Sequence, residues 1–279
     1  MHKLVRKVRF SVNPFLREDS GGFNSYASEP CGEGLSIFFE LIVGLTGEVE
    51  PATGFVVNVV DIDKAVREYA VPIFGRQIRE DFRRGKHIGF FEISEVLKSA
   101  WGQLADKFGG AKLSELGLAL NPFRRVAVDC EPRPSERRGE ETPGDSKMIY
   151  FSEKFEFSAT HKLWNEEFSE QRNFEVFGRC ANPSGHGHNY IVEITVKMPA
   201  GGDRFRIGDF EKVVDDELIK VVDHKNLNTD VAELSKVNPT VENIAVFAWE
   251  RLAGKFGEAV LHCITVWETD KTYCSYYGK

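Results

Sequence analysis

Cysteine is scarce in this chain. Its five cysteines in 279 residues (Cys31, Cys130, Cys180, Cys263 and Cys274) are scattered, odd in number and free of C-x-x-C spacing. That excludes a disulfide framework and fits reduced thiols in a cytoplasmic protein. Also missing is any run near the roughly 18 consecutive apolar residues that a membrane helix needs. The opening stretch MHKLVRKVRFSVNP has positive charge but no apolar core and no small-residue cleavage pattern, so it does not read as a secretory signal. No basic tract appears either. With 43 acidic against 36 basic residues the net charge is -7, which argues against nucleic acid or an anionic membrane as partner. A glycine-rich dinucleotide fingerprint is absent, which excludes the usual nicotinamide chemistry.

What is present is an ordinary globular composition, 42% hydrophobic and 28% charged. The length predicts two domains of roughly 130 residues. Residues 131–148, EPRPSERRGEETPGDSKM, combine three prolines with dense charge and read as an exposed linker between domains 1–130 and 149–279. The two parts repeat each other. AWGQLADKFG at 100–109 matches AWERLAGKFG at 248–257, VRFSVNP at 8–14 faces FEFSATH at 155–161, and EGLSIFFELIV at 33–43 faces HGHNYIVEITV at 186–196. Each half is predicted to run strand, long loop, strand, second strand, helix, helix, final strand. FFELIV and IVEITVKM are β-rich, DFEKVVDDELIKVV has helical spacing, and TVENIAVFAWERLAGKFG has a threonine start and a glycine stop. The class is α+β, two helices over an antiparallel sheet in each half.

The chemistry-bearing residues gather in the second half. In a strand, side chains two apart share a face, so His186 and His188 of GHGHNY could reach one ion, with Gly187 leaving room. His161, ending the first predicted strand, supplies a third nitrogen, and three histidines with an open position make a catalytic zinc arrangement. The H-x-H spacing alone is shared with surface histidines. Cys180, next to Arg179, is either a thiolate whose pKa a neighbouring cation or metal lowers, or a buried loop cysteine. Asp223 and His224 in VVDHKNLN are either a tuned proton shuttle or a helix cap with a surface ion pair. Glu268, following Val266 in TVWETD, is expected to point away from the core, to solvent or into a pocket.

Together FSATHKL, FGRCANPSGHGHNY, VDHKNLN, NPTVENIAVFAWERL and VWETD resemble, in order across 151–279, the 6-pyruvoyl-tetrahydropterin synthases and their relatives, the 6-carboxytetrahydropterin synthases of queuosine biosynthesis. The resemblance implies two tandem T-folds that oligomerise into barrels, most simply as a trimer of two-domain chains or a multiple of it. It implies Zn2+ on His161, His186 and His188, a catalytic thiol at Cys180, a proton relay at Asp223 and His224, and a pterin anchor at Glu268 with Thr240 and Glu242 beside it. The six-residue step from Cys180 to His186 looks like the pyruvoyl enzymes. The implied reaction converts 7,8-dihydroneopterin triphosphate to 6-pyruvoyl-tetrahydropterin with loss of triphosphate, as in tetrahydrobiopterin biosynthesis. The triphosphate would meet basic residues among Lys162, Arg172, Arg179 and Lys225. The alternatives are the carboxy product, or a pterin-binding protein that no longer turns over. In the first half Pro14, Glu33 and Leu35 stand where the histidines stand in the second, so residues 1–130 are expected to lack the metal and to serve a structural role or a degenerate regulatory pocket.

Overall fold

The computed structural model describes residues 1–15, 36–128, 148–199 and 204–278. The linker at 131–147, Cys31, Cys130, Glu33 and Leu35 lie outside the described residues. The chain divides into two compact units, Met1–Phe151 with Met198–Asp203, and Ser152–Lys197 with Arg204–Lys279. No helix among the described residues is long and apolar enough to cross a membrane.

In the first unit, strands β1 (His2–Val12), β2 (Ile37–Gly47), β3 (Lys112–Ala119) and β4 (Arg124–Val128) form an antiparallel sheet in sequence order. The helices α1 (Val59–Ala65), α2 (Val71–Arg83) and α3 (Phe90–Leu104) come between β2 and β3. A π-helical turn, Val66–Ala70, joins α1 to α2 without a break. Asn58 starts this run by accepting a hydrogen bond from the Val60 N–H at 3.0 Å. Phe90, Leu97, Ala100 and Leu104 recur at helical spacing on α3 and are buried, as are the alternating Val8, Phe10 and Val12 of β1.

The second unit repeats that order. Its sheet runs β5 (Met148–His161), β6 (His186–Pro199), β8 (Val260–Thr269) and β9 (Thr272–Tyr276), with the two-residue β7 (Lys225–Asn226) parallel to β5. Before β6 comes α4 (Glu170–Phe177). Between β6 and β8 come α5 (Ile207–Val214), a π turn (Asp215–Ile219), α6 (Lys220–Val222) and α7 (Val241–Leu252).

The two units share their irregularities as well as their order. The π turns begin at Val66 and Asp215, 149 positions apart. The register between the second and third strands slips between Gly44 and Leu45 in one unit and between Thr195 and Val196 in the other, 151 positions apart. Each slip is a β-bulge, one extra residue on the third strand. Aromatic pairs also correspond, Phe10 on Phe39 at 5.3 Å and Phe157 on Tyr190 at 5.0 Å.

Three expectations change. Each half has two strands, not one, after its helices, and only one strand directly before them. The added strands β4 and β9 are short, and their hairpin turns are set by Asn121, which accepts from the Phe123 and Arg124 N–H groups, and by the Asp270–Lys271 pair. Finally, the shared bulge makes the offset along the second strand 151 rather than 153, so the counterpart of His188 is Ile37, not Leu35.

Phe10 is fully buried against Phe39 and Phe74. Phe10→Ala is expected to cost the first unit about 3 to 5 kcal/mol in urea unfolding. A loss under about 1 kcal/mol would show that this aromatic cluster is not its core.

Candidate metal centre and the residues around it

β5 ends in Phe157, Ala159 and His161 on its helix-covered side, while Ser158 and Thr160 point to the other. β6 begins with His186, His188 and Tyr190 on the same covered side, alternating with Gly187 and Asn189. The three histidines therefore meet. Their ligand-capable atoms lie within 4.8 Å of one another, and the Nε2 atoms of His161 and His186 are 3.1 Å apart.

The orientation of His161 is fixed by its other nitrogen. Nδ1 lies 2.8 Å from the carbonyl oxygen of Pro239. A carbonyl only accepts, so Nδ1 carries the proton and Nε2 presents a lone pair to its neighbours. Burial holds His161 and His188 below the ordinary imidazole value, which keeps them neutral. Nδ1 of His186 and Nε2 of His188 are buried without a hydrogen-bond partner. Three converging imidazoles with buried nitrogens left unsatisfied are a donor set that suits a divalent ion such as zinc, so the residues present fit a metal.

Residues 238–240 brace this centre in succession. Asn238 accepts from the Trp164 N–H at 2.8 Å, Pro239 receives His161, and Thr240 caps α7 by accepting from the Asn243 N–H. The loop before β6 makes a close approach. Gly185 has φ +66°, and a Cβ there would sit 2.9 Å from the His161 carbonyl oxygen. The required glycine is thus Gly185 and not Gly187, where a Cβ would meet nothing nearer than 3.4 Å.

Glu268 turns into this site. Its Oε1 lies 3.4 Å from Nε2 of both His161 and His188. Glu268 stands where the β8–β9 register slips between Trp267 and Thr269, so the alternation from Val266 does not carry through it, and of solvent and pocket its carboxylate takes the pocket. Cys180 lies in the 3-10 turn Gly178–Ala181, its carbonyl held by the Leu163 N–H at 2.8 Å. Burial, and then the Glu268 carboxylate, push its thiol above the ordinary value. Of the two readings, the half-buried position in a loop is what is seen here. Arg179, Phe174 and His186 line an adjoining cleft of about 770 Å3.

Asp223 and His224 form a bonded pair, Oδ2 to Nδ1 at 2.9 Å. The other Asp223 oxygen accepts from the Ser158 N–H at 2.9 Å, which, ahead of His224, holds the carboxyl below its usual range. His224 takes φ +57°, the single positive φ outside glycine among the described residues, and bonds its N–H to the Ser158 carbonyl. His224 lines a second cleft, about 430 Å3, with Ser158, Thr160, Gly187, His188 and Asn189. Ser158, Thr160, Gly187 and Asn189 alternate along β5 and β6 with the residues that carry the three imidazoles.

Of the residues expected to meet substrate, Thr240 is engaged as a helix cap, and Glu242 lies in the first turn of α7, where its charge, after burial, helps raise the Cys274 thiol. Lys162 sits over the Trp164 ring and Arg172 pairs with Glu175 on the surface, leaving Arg179 in the larger cleft and Lys225 in the smaller. Sequence reasoning missed Gly185, the Pro239 carbonyl and Tyr190. The first stood beside the histidine pair and the second inside NPT, but a backbone acceptor leaves no side-chain signal.

A family model described as 6-pyruvoyl tetrahydropterin synthase matches residues 150–279. A 6-pyruvoyl tetrahydrobiopterin synthase of Homo sapiens is 38% identical over 131 residues, spanning 46% of this chain and 90% of the relative. One of Drosophila melanogaster is 39% identical over 136 residues, 47% of this chain and 80% of the relative. The solved structure of Caenorhabditis elegans 6-pyruvoyl tetrahydropterin synthase is 31% identical, covers 47% of this chain and 96% of that one, and has a TM-score of 0.43.

Gly185→Ala forces a side chain into the left-handed region against the His161 carbonyl. It is expected to destabilise the second unit by about 1 to 3 kcal/mol and to weaken metal binding about tenfold or more. Unchanged metal affinity by competitive chelator titration would contradict that geometry.

Proposed function

Because this chain belongs to the 6-pyruvoyl tetrahydropterin synthase family, we propose that its second half is a zinc-dependent carbon–oxygen lyase converting 7,8-dihydroneopterin triphosphate to 6-pyruvoyl-tetrahydropterin with elimination of triphosphate. The observation that carries this reading is the meeting of three imidazoles with Glu268 in the half that the family model matches. Zinc on His161, His186 and His188 would supply Lewis acidity toward the side-chain oxygens of the substrate.

The remaining work falls to the chain's own groups. Glu268 accepts two parallel hydrogen bonds from the guanidine-like edge of the pterin, with Thr240 and Glu242 beside it. Cys180 takes and returns protons along the side chain. Arg179, in the cleft next to His186, is the basic residue best situated for the triphosphate. Asp223 orients His224 for the second proton transfer. With His224 in the cleft beside Ser158, Thr160 and Asn189, we read the complete site as built from two copies, the pair of one serving the thiol of the next. Rings of like halves follow, most simply in a trimer of chains. Residues 1–130 then form a T-fold unit without the metal that completes or buttresses the assembly, 131–148 a linker, and 149–279 the catalytic unit.

The purified protein, given dihydroneopterin triphosphate, is expected to release triphosphate and yield a pyruvoyl pterin by mass spectrometry. A carboxy pterin with acetaldehyde would move it to the 6-carboxytetrahydropterin synthases, and no product would leave a pterin-binding protein. Cys180→Ala and His224→Ala should each lose at least about 100-fold in turnover while keeping metal. Mixed under conditions of subunit exchange, the two inactive variants should recover part of the activity. Full activity of either, or an active monomer by light scattering, would contradict this arrangement.

A further inference from the structure

Tyr190 is fully buried, and its hydroxyl has no hydrogen-bond partner. Its ring is accounted for by packing: stacked on Phe157 at 5.0 Å and 14°, edge-on to His188 at 5.5 Å and to His161 at 6.1 Å. The oxygen is not accounted for. A buried donor without an acceptor costs free energy that a phenylalanine would not, so a fold under packing demands alone would discard it.

The first unit did without it. Phe39 stands five positions before the β2 register slip, as Tyr190 stands five before that of β6. Phe39 stacks on Phe10 at 5.3 Å and 27°, the same contact that Tyr190 makes with Phe157. That unit also has Pro14 and Ile37 in place of His161 and His188. Ring stacking therefore belongs to the architecture, and the hydroxyl goes with the imidazoles. A phenol is a neutral donor at ordinary pH, and this one sits on a ring in contact with two of the three imidazoles.

We propose that Tyr190 is a further catalytic group of this site, its phenolic O–H donating a hydrogen bond to a side-chain oxygen of the pterin substrate held among the three imidazoles. The proposal rests on the pterin synthase reading. As a neighbouring C–H proton departs to Cys180, negative charge builds on that oxygen, and a fixed donor stabilises it while keeping its own proton.

Tyr190→Phe tests this, since Phe39 shows that the packing takes a phenyl ring. With dihydroneopterin triphosphate as substrate, kcat is expected to fall about 10- to 100-fold with KM within about twofold. Metal content should match the wild type, and Tm should be unchanged or higher, because the orphaned hydroxyl is gone. Unchanged kcat, or a loss matched by lower Tm or lost metal, would overturn the proposal. If the wild type itself leaves the substrate intact, the pterin synthase reading fails and takes the proposal with it. An active wild type with an unaffected variant overturns the role of Tyr190 alone.

Discussion

One hydrogen bond, from Nδ1 of His161 to the Pro239 carbonyl, ties the end of β5 to the start of α7 and decides which nitrogen of the ring faces inward. Without it the imidazole could present a proton where the site needs a lone pair. The neighbouring contacts defend that bond. Asn238 holds the Trp164 N–H, and Thr240 caps α7, so the Pro239 carbonyl has little freedom. On the far side of the strand, His224 and Leu227 bond to the Ser158 and Thr160 carbonyls, and Asn228 holds both backbone groups of Lys162. The last residues of β5 are thus clamped by two loops, which fixes the His161 ring where it meets the other two imidazoles.

The comparison within the chain separates what the fold requires from what the site requires. Both units keep the strand order, the π turn in the first long helical run, the bulge facing the second strand and a stacked aromatic pair. None of these needs an ionisable side chain. A bulge bends the sheet, and a π turn shifts a helix face by one residue, so both are geometry that packing alone can maintain. The imidazoles, Glu268 and the Tyr190 hydroxyl carry desolvation costs in the second unit with no packing return. Groups of that kind persist where they do chemistry.

The sequence disclosed the histidine centre well, because H-x-H in a strand is a period-two signal and FSATH closes a second period-two run. The same period hid the alignment error. A slip of two residues along a strand preserves which side chains face inward, so pairing His188 with Leu35 instead of Ile37 left every alternation intact. The bulges and π turns were invisible for a related reason: each adds one residue to an element without any compositional mark. β4 and β9 escaped because a five-residue strand next to a tight turn carries little periodicity. For Cys180 the neighbour in sequence, Arg179, was no guide to its surroundings, which are set by burial and then by Glu268, 88 positions away.

The claim on which all of this turns is that one half of the chain holds a metal and the other, on the same framework, does not. Elemental analysis of the purified chain beside a His161→Ala variant tests it most directly. About one zinc per chain in the wild type and close to none in the variant is the predicted result. About two per chain, or an undiminished content in the variant, would contradict it.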